Sequence, residues 1–242
     1  ILFIGTGDIG LPSLEWLINT PRHEVVGVIT QPDKPVGRKQ VLTPPQTKVR
    51  ALAAGIPVFQ PLKIRHAVEE LAAFKADIAI VVAYGQILSR AVLDVPPLGC
   101  LNIHASLLPR HRGAAPIQRA MMAGEQRITA CAMAVAERMD AGAIYARHDF
   151  ELGATETAGE LHDRIARDSV EMMLQTIERA RVGAIIGQEQ IEAHATRAMK
   201  LSKSEAYVDF AQTAQLVRCR IHGLAPWPGC DAEISGEPIR LL

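Results

Sequence analysis

The residues with chemical capacity gather in one stretch, Cys100-Leu-Asn-Ile-His104, which continues as Ala-Ser106-Leu-Leu-Pro109 and Arg-His-Arg112-Gly-Ala-Ala-Pro116. Its first five residues read as a strand, where alternate side chains share a face. Asn102 and His104 therefore point the same way as Cys100, while Leu101 and Ile103 pack on the other side. A carboxamide beside an imidazole offers hydrogen-bond donors and one group that changes protonation near neutral pH. Ends of buried strands are where α/β proteins place reacting groups. The plainer reading is a strand end whose two polar residues solvate a loop. A third candidate, Asp140, lies in the turn Glu137-Arg-Met-Asp140-Ala-Gly142, where an aspartate ordinarily bonds to local backbone. Ser106 is close by in sequence, but no Ser-His-Asp ordering demands a nucleophilic serine.

Such groups need a rigid frame, and the composition supplies an aliphatic one. Of 242 residues, 48% are apolar and only 4% aromatic, which suits a buried parallel sheet flanked by helices. The length allows one large domain, or one domain with a small appendage. Lys plus Arg equal Asp plus Glu at 26 each, for a net charge of +0. A polyanion could therefore be met only by a local patch. The four cysteines, Cys100, Cys131, Cys219 and Cys230, include no C-x-x-C pair. That argues against a zinc site or disulfide framework, so no metal is expected, and it suits a reducing cytoplasm. There is no signal peptide and no bilayer-length apolar run, so no membrane role is expected. Residue 1 is Ile and opens directly into a strand, and 238–242 read as a strand that stops abruptly. Both ends read as cut from a longer chain.

Strands are expected at 1–4, 24–30, 56–59, 77–83, 128–135 and 143–150, and helices at 11–19, 48–54, 66–74, 117–123, 157–181 and 212–221. Thr157-Ala-Gly-Glu160 has the pattern of a capping box. The alternation of strand and helix to about residue 105 gives a parallel sheet. Gly5-Thr-Gly-Asp-Ile-Gly10, after a strand and before a helix, fits the dinucleotide pattern G-x-G-x-x-G, which is weak alone. A nicotinamide site would want an acid at the end of the next strand, and Gln31 stands there, with Asp33 beyond a proline. A tight turn that brings helix to strand explains the glycines as well. Residues 31–46 read as a long, proline-rich loop. Over 31–50, Lys34, Arg38, Lys39, Lys48 and Arg50 oppose only Asp33, which fits either a solvated loop or a basic finger for phosphates. Tyr84-Gly-Gln86-Ile87-Leu88 follows an apolar strand and is either a simple turn or a pocket wall. Residues 182–199 suit a linker and 200–210 are polar. Pro226-Trp-Pro-Gly229 is a rigid turn, and 231–242 suggest a hairpin around Ser235-Gly-Glu237.

Together these motifs resemble the folate-dependent formyltransferases. The resemblance spans nearly the whole chain. It rests on Asn102-Ile-His104, 106–109, Arg112-Gly-Ala-Ala-Pro116 and Asp140-Ala-Gly142, with Thr30-Gln-Pro-Asp33, Pro35-Val-Gly-Arg38, Val82-Ala-Tyr-Gly85, Lys200-Leu-Ser-Lys203 and Pro226-Trp-Pro-Gly229. The last two and the basic loop are more selective for the branch that formylates the methionine carried by initiator tRNA. The resemblance implies a Rossmann-like α/β catalytic domain with a mostly parallel sheet over 1–181. A linker over 182–204 would follow, then the start of an oligonucleotide-binding type β-barrel over 205–242, cut short. It implies 10-formyltetrahydrofolate as donor, initiator methionyl-tRNA as acceptor, and a monomer without a metal. Catalytic roles fall on Asn102, His104 and Asp140. Folate contact falls on Ser106, Leu107, Leu108 and Pro109, and on Tyr84, Gln86, Ile87 and Leu88. Contact with tRNA falls on Arg38, Lys39 and Lys34. Two features depart from the family: Gly7 stands where Pro is usual, and the loop after Arg38 is poorer in lysine.

The residue types suit the implied chemistry. An amine attacks the formyl carbon and the carbonyl oxygen gains charge, which preorganised donors from Asn102 and a protonated His104 would stabilise. A carboxylate at Asp140 would orient the imidazole, favour its charged form, or accept the proton of the amine. The same three residues would serve a transferase acting on an amino sugar nucleotide or a purine precursor, or a hydrolase of the formyl donor. A non-catalytic RNA-binding protein and a nicotinamide oxidoreductase are the rivals from other classes.

Overall fold

The computed structural model describes residues 1–37 and 39–241, with Ile234 by its backbone alone. The chain folds as two compact units. One comprises Ile1–His104, Ala132–Ala146 and Ala166–Glu189, the other Ala105–Cys131, Arg147–Ile165 and Gln190–Leu242. Among the described residues, no helix is long and apolar enough to cross a membrane.

The chain opens with β1 (Leu2–Gly5), α1 (Leu11–Asn19), β2 (Gly27–Ile29), β3 (Lys34–Val36), β4 (Val41–Thr43), α2 (Gln46–Ala53) and β5 (Val58–Phe59). Next come α3 (Val68–Ala73), β6 (Ala79–Val82), α4 (Arg90–Leu93), β7 (Cys100–His104), β8 (Arg112–Gly113), α5 (Pro116–Met122), β9 (Arg127–Ala134) and β10 (Ile144–Glu151). Then follow α6 (Ala158–Arg181), β11 (Arg197–Ala198), α7 (Ala214–Leu224), β12 (Cys230–Ile234) and β13 (Glu237–Leu241).

The sheet of the first unit runs β5-β2-β1-β6-β7 and then β9 and β10, whose residues 132–134 and 144–146 belong to that unit. The five strands from β5 to β7 pair in parallel throughout. Their side chains alternate between two apolar layers. Phe3, Ile80, Val82 and Leu101 meet Leu14 and Leu17 of α1 and Met173 and Ile177 of α6. Leu2, Ile4, Ala79, Val81 and Cys100 meet Leu71 of α3 and Val92 and Leu93 of α4. Burial on both faces is why these strands read as unbroken apolar runs. Each fully buried large side chain contributes about 1.5–3 kcal/mol, enough to make this layer the rigid frame.

The first glycine turn is part of that packing. A Cβ on Gly5 would lie 2.8 Å from the Val82 carbonyl oxygen, and one on Gly10 would lie 3.1 Å from the Phe3 ring. Two expectations need correction. The 31–46 loop is partly ordered as an antiparallel ribbon, β3 with β4, in the register Val36↔Val41; Pro35 is tolerated because an isolated ribbon has an edge that needs no donor. The 182–199 stretch is not a bare tether, since β11 pairs in parallel with β8. After 205 the helix expected at 212–221 is present as α7, and the expected hairpin follows from Cys230. The hairpin turns at Ser235 and Gly236, with φ of 53° and 84°, the two positive values a two-residue type I′ turn requires.

Candidate active site

The carboxyl ends of the parallel strands carry the polar groups. The pairing of β7 with β6 reaches Val81↔Asn102, and His104 closes the strand. Asn102 is half-buried and His104 buried. Leu101 and Ile103 pack into the layer under α1, while Cys100 joins the opposite layer. The two polar side chains thus share the Cys100 face, as their spacing predicts.

Asp140 belongs to the same unit. Its carboxylate Oδ2 lies 3.6 Å from His104 Nδ1, and both side chains are largely withdrawn from solvent. The turn that brings it there is tightly specified. Asp140 adopts φ of +51°, a left-handed conformation that Asp tolerates better than most residues. The Ala141 N–H donates to the Arg138 carbonyl at 3.2 Å, and the Ala134 N–H to the Ala143 carbonyl at 2.9 Å. At Gly142 a Cβ would sit 2.0 Å from the Ala134 carbonyl oxygen, so only glycine lets the turn close onto β9. Beneath Asn102, burial pushes the Cys100 thiol up to about 12, so it stays protonated and is no nucleophile.

The turn after β6 is held by backbone acceptors. The Tyr84 carbonyl accepts from the Thr6 hydroxyl at 3.3 Å and from Gln31 Nε2 at 3.2 Å. Ala83 and Gly85 take φ of 47° and 84°. The Tyr84 ring is buried, its hydroxyl has no hydrogen-bond partner among the described residues, and burial pushes the phenol up to about 12. The Gln86 carboxamide accepts from the Ile64 N–H at 2.9 Å and donates to the Leu62 carbonyl at 3.3 Å. It therefore holds its neighbouring loop in place. Ile87 is exposed and Leu88 is buried in the layer below.

Residues 106–109 belong to the second unit. Ser106 is buried, and its hydroxyl donates to the Arg110 carbonyl at 2.7 Å. Its carbonyl accepts from the Leu108 N–H at 2.9 Å and from Cys131 Sγ at 3.1 Å. Ser106 thus shapes the turn. Leu108 is buried, Leu107 is exposed, and the Leu108–Pro109 peptide is cis.

Of the basic cluster, Lys34 on β3 and Lys39 beyond it are exposed, and Arg38 lies outside the described residues. Lys48 and Arg50 are engaged elsewhere. Lys48 Nζ bonds both Asp33 oxygens at 2.9 and 2.8 Å, and Arg50 Nε reaches Glu15 at 3.1 Å. The Lys48 bond, with a second from Gln60, holds the Asp33 carboxyl below its ordinary range. The cluster is therefore smaller than its sequence suggests. Two arginines of the second unit carry contacts the sequence did not announce. Arg112 binds Gln190 and Glu192, and Arg119 binds both oxygens of Glu205. Position in the Arg112-Gly-Ala-Ala-Pro116 motif was the only signal for the first.

Residues 1–177 match the family profile described as Formyl transferase, and 200–242 match Formyl transferase, C-terminal domain. The methionyl-tRNA formyltransferase of Marinobacter nauticus is 44% identical over 243 residues, covering 100% of this chain and 78% of that protein. That of Xanthomonas axonopodis pv. citri is 45% identical over 244 residues, covering 100% and 79%. The chain belongs to the methionyl-tRNA formyltransferase family. Its fold recurs in more distant members of the formyltransferases. A 4-N formyltransferase from Francisella tularensis superposes with a TM-score of 0.74 at 15% identity, over 99% of this chain and 95% of its own. An N-formyltransferase from Helicobacter canadensis, solved with folinic acid and dTDP-3-aminofucose, gives 0.71 at 16% identity, over 92% and 79%. At such identities the likeness concerns fold alone.

Proposed function

We propose that this protein transfers the formyl group of 10-formyltetrahydrofolate to the α-amino group of methionine esterified to initiator tRNA. The acceptor follows from the 44% identity to methionyl-tRNA formyltransferases along the whole chain. The chemistry is carried by one observation, the His104–Asp140 pair at 3.6 Å beside the Asn102 strand end.

The neutral amine attacks the formyl carbon, a tetrahedral centre forms, and its oxygen takes negative charge. The Asn102 NH₂ and the His104 N–H supply donors to that oxygen, and one such donor is worth about 2.7–4 kcal/mol. Asp140 holds the imidazole and accepts the amine's proton, directly or through water. The bond from carbon to folate nitrogen then breaks, and that nitrogen takes up a proton. Residues 84–88 contact the donor, as do residues 106–109, each chiefly through backbone groups and apolar edges, since the side chains of Gln86 and Ser106 are occupied locally. Lys34, Arg38 and Lys39 meet phosphates of the acceptor. The buried, unbridged cysteines suit a reducing cytoplasm. The catalytic domain spans 1–181 and a linker spans 182–204, with the tRNA-binding part from 205.

Labelled formyl donor tests this against three acceptors: charged initiator tRNA, charged elongator tRNA and an amino sugar nucleotide. Transfer to initiator tRNA alone is expected. Transfer confined to the sugar nucleotide, or formate release without acceptor, would replace the reading.

A further inference from the structure

The Arg112-Gly113 motif has no part in the chemistry above, yet it is among the most constrained features of the second unit. The Arg112 side chain is buried, although it carries a permanent charge. Its Nε and Nη2 both donate to Gln190 Oε1, at 3.0 and 2.8 Å, and Nη1 donates to Glu192 at 2.9 Å. Its N–H donates to the Thr196 carbonyl at 2.9 Å, and the Ala114 N–H donates to the Ala198 carbonyl at 2.9 Å. His111 N–H reaches the Thr196 hydroxyl at 2.9 Å. Gly113 has φ of +127°, and a Cβ there would lie 2.6 Å from the Ala198 carbonyl oxygen. The chain after Pro109 is thus fastened to 190–198 by side chain, backbone and close approach together.

A buried guanidinium spanning two acceptors fixes both position and orientation, which an ammonium cannot reproduce. Residues 106–109 connect directly to this fastening through Arg110 and His111. We propose that Arg112 is a positioning residue for the formyl donor, keeping the 106–109 edge in its folate-binding shape by tying the chain beyond it to Gln190 and Glu192. The inference rests on the reading that 106–109 contacts folate. In this arrangement residues 190–198 brace the chain beyond the 106–109 edge.

The test is Arg112→Lys in the full chain, assayed with 10-formyltetrahydrofolate and charged initiator tRNA. Losing a buried, charge-assisted network should raise the donor KM about tenfold. The tRNA KM should stay within about twofold of its starting value. Hydrogen exchange should quicken at the amides of residues 112 and 114. Gln190→Ala, which leaves the charge in place, should shift the donor KM in the same direction and serves if Arg112→Lys fails to fold. An unchanged donor KM, or equal rises in both KM values, overturns the proposal. A wild-type protein that transfers nothing to tRNA would instead count against the function proposed above.

Discussion

Gly142→Ala adds one methyl group and leaves every reacting side chain intact, so it isolates the role of the turn that carries Asp140. The added Cβ would lie 2.0 Å from the Ala134 carbonyl oxygen and 2.8 Å from its carbon, where real Cβ atoms essentially never approach within 3.0 Å. The turn must therefore move outward by about 1 Å, since both obstructing atoms are backbone and no side chain can swing aside. Asp140 is two residues away and already 3.6 Å from His104 Nδ1, so the shift directly threatens the pair. A displacement of about 1 Å at a reacting group can cost about 10²-fold in rate. The expected result is a kcat lower by about 10²-fold, with the donor dissociation constant nearly unchanged, because the proposed donor contacts lie elsewhere. Single-turnover transfer to charged initiator tRNA at saturating donor measures the rate, and circular dichroism with a thermal melt checks folding. Asp140→Asn is the companion variant, removing the charge without moving the turn. A Gly142→Ala protein with wild-type kcat and an unchanged melt would refute the claim that this turn holds Asp140 on His104.

Asn102→Ala should lower kcat by about 10²–10³-fold through loss of one oxyanion donor, with folate affinity by fluorescence titration preserved. Arg38→Ala should raise the KM for charged tRNA and reduce the salt slope of that KM by about 1, leaving folate binding alone; equal losses on both substrates would give Arg38 a structural role instead. Alkaline stability should fall from about pH 9 upward. Burial raises the Cys100 thiol from 9.0 and the Tyr84 phenol from 10.0, each to about 12. Between the ordinary and raised values the unfolded chain has released protons the folded chain keeps, so rising pH favours unfolding. Urea melts at pH 8, 9.5 and 11 would register the decline, and Tyr84→Phe should lessen it. Because the buried Tyr84 hydroxyl has no partner among the described residues, that variant should match or slightly exceed wild-type stability at pH 7.

The sheet was legible because its physics is local in sequence. Residues buried on both faces must be apolar in succession, so 1–4 and 77–83 announce β1 and β6, and the two-residue spacing of Asn102 and His104 places them on one face. The parts that resisted reading depend on distant partners. Arg112 and Gly113 look like a polar loop until β11 is paired beside them. The reduced cluster at Lys48 and Arg50 becomes visible only when Asp33 and Glu15 are brought within bonding distance. The pairing of Asp140 with His104 came from likeness to a family, because no spacing rule brings a turn aspartate back to a strand end laid down earlier in the chain.

The glycines of the G-x-G-x-x-G turn have a reason in packing. They are accounted for by close approach, Gly5 against the Val82 carbonyl, Gly7 against the Ala83 Cβ at 2.9 Å and Gly10 against the Phe3 ring. A nicotinamide dinucleotide also needs a free acceptor for its ribose at the end of β2. There the Gln31 carboxamide is turned onto the Tyr84 carbonyl, and the Asp33 carboxylate is held by Lys48 and Gln60. Binding a ribose would require Asp33 to give up or share its bonds to Lys48 and Gln60. Thr6 and Gln31 are instead committed to the Tyr84 carbonyl in the turn after β6. The β7 end brings Asn102, His104 and the returning Asp140 together, and it is there that the proposed function puts the reacting carbonyl.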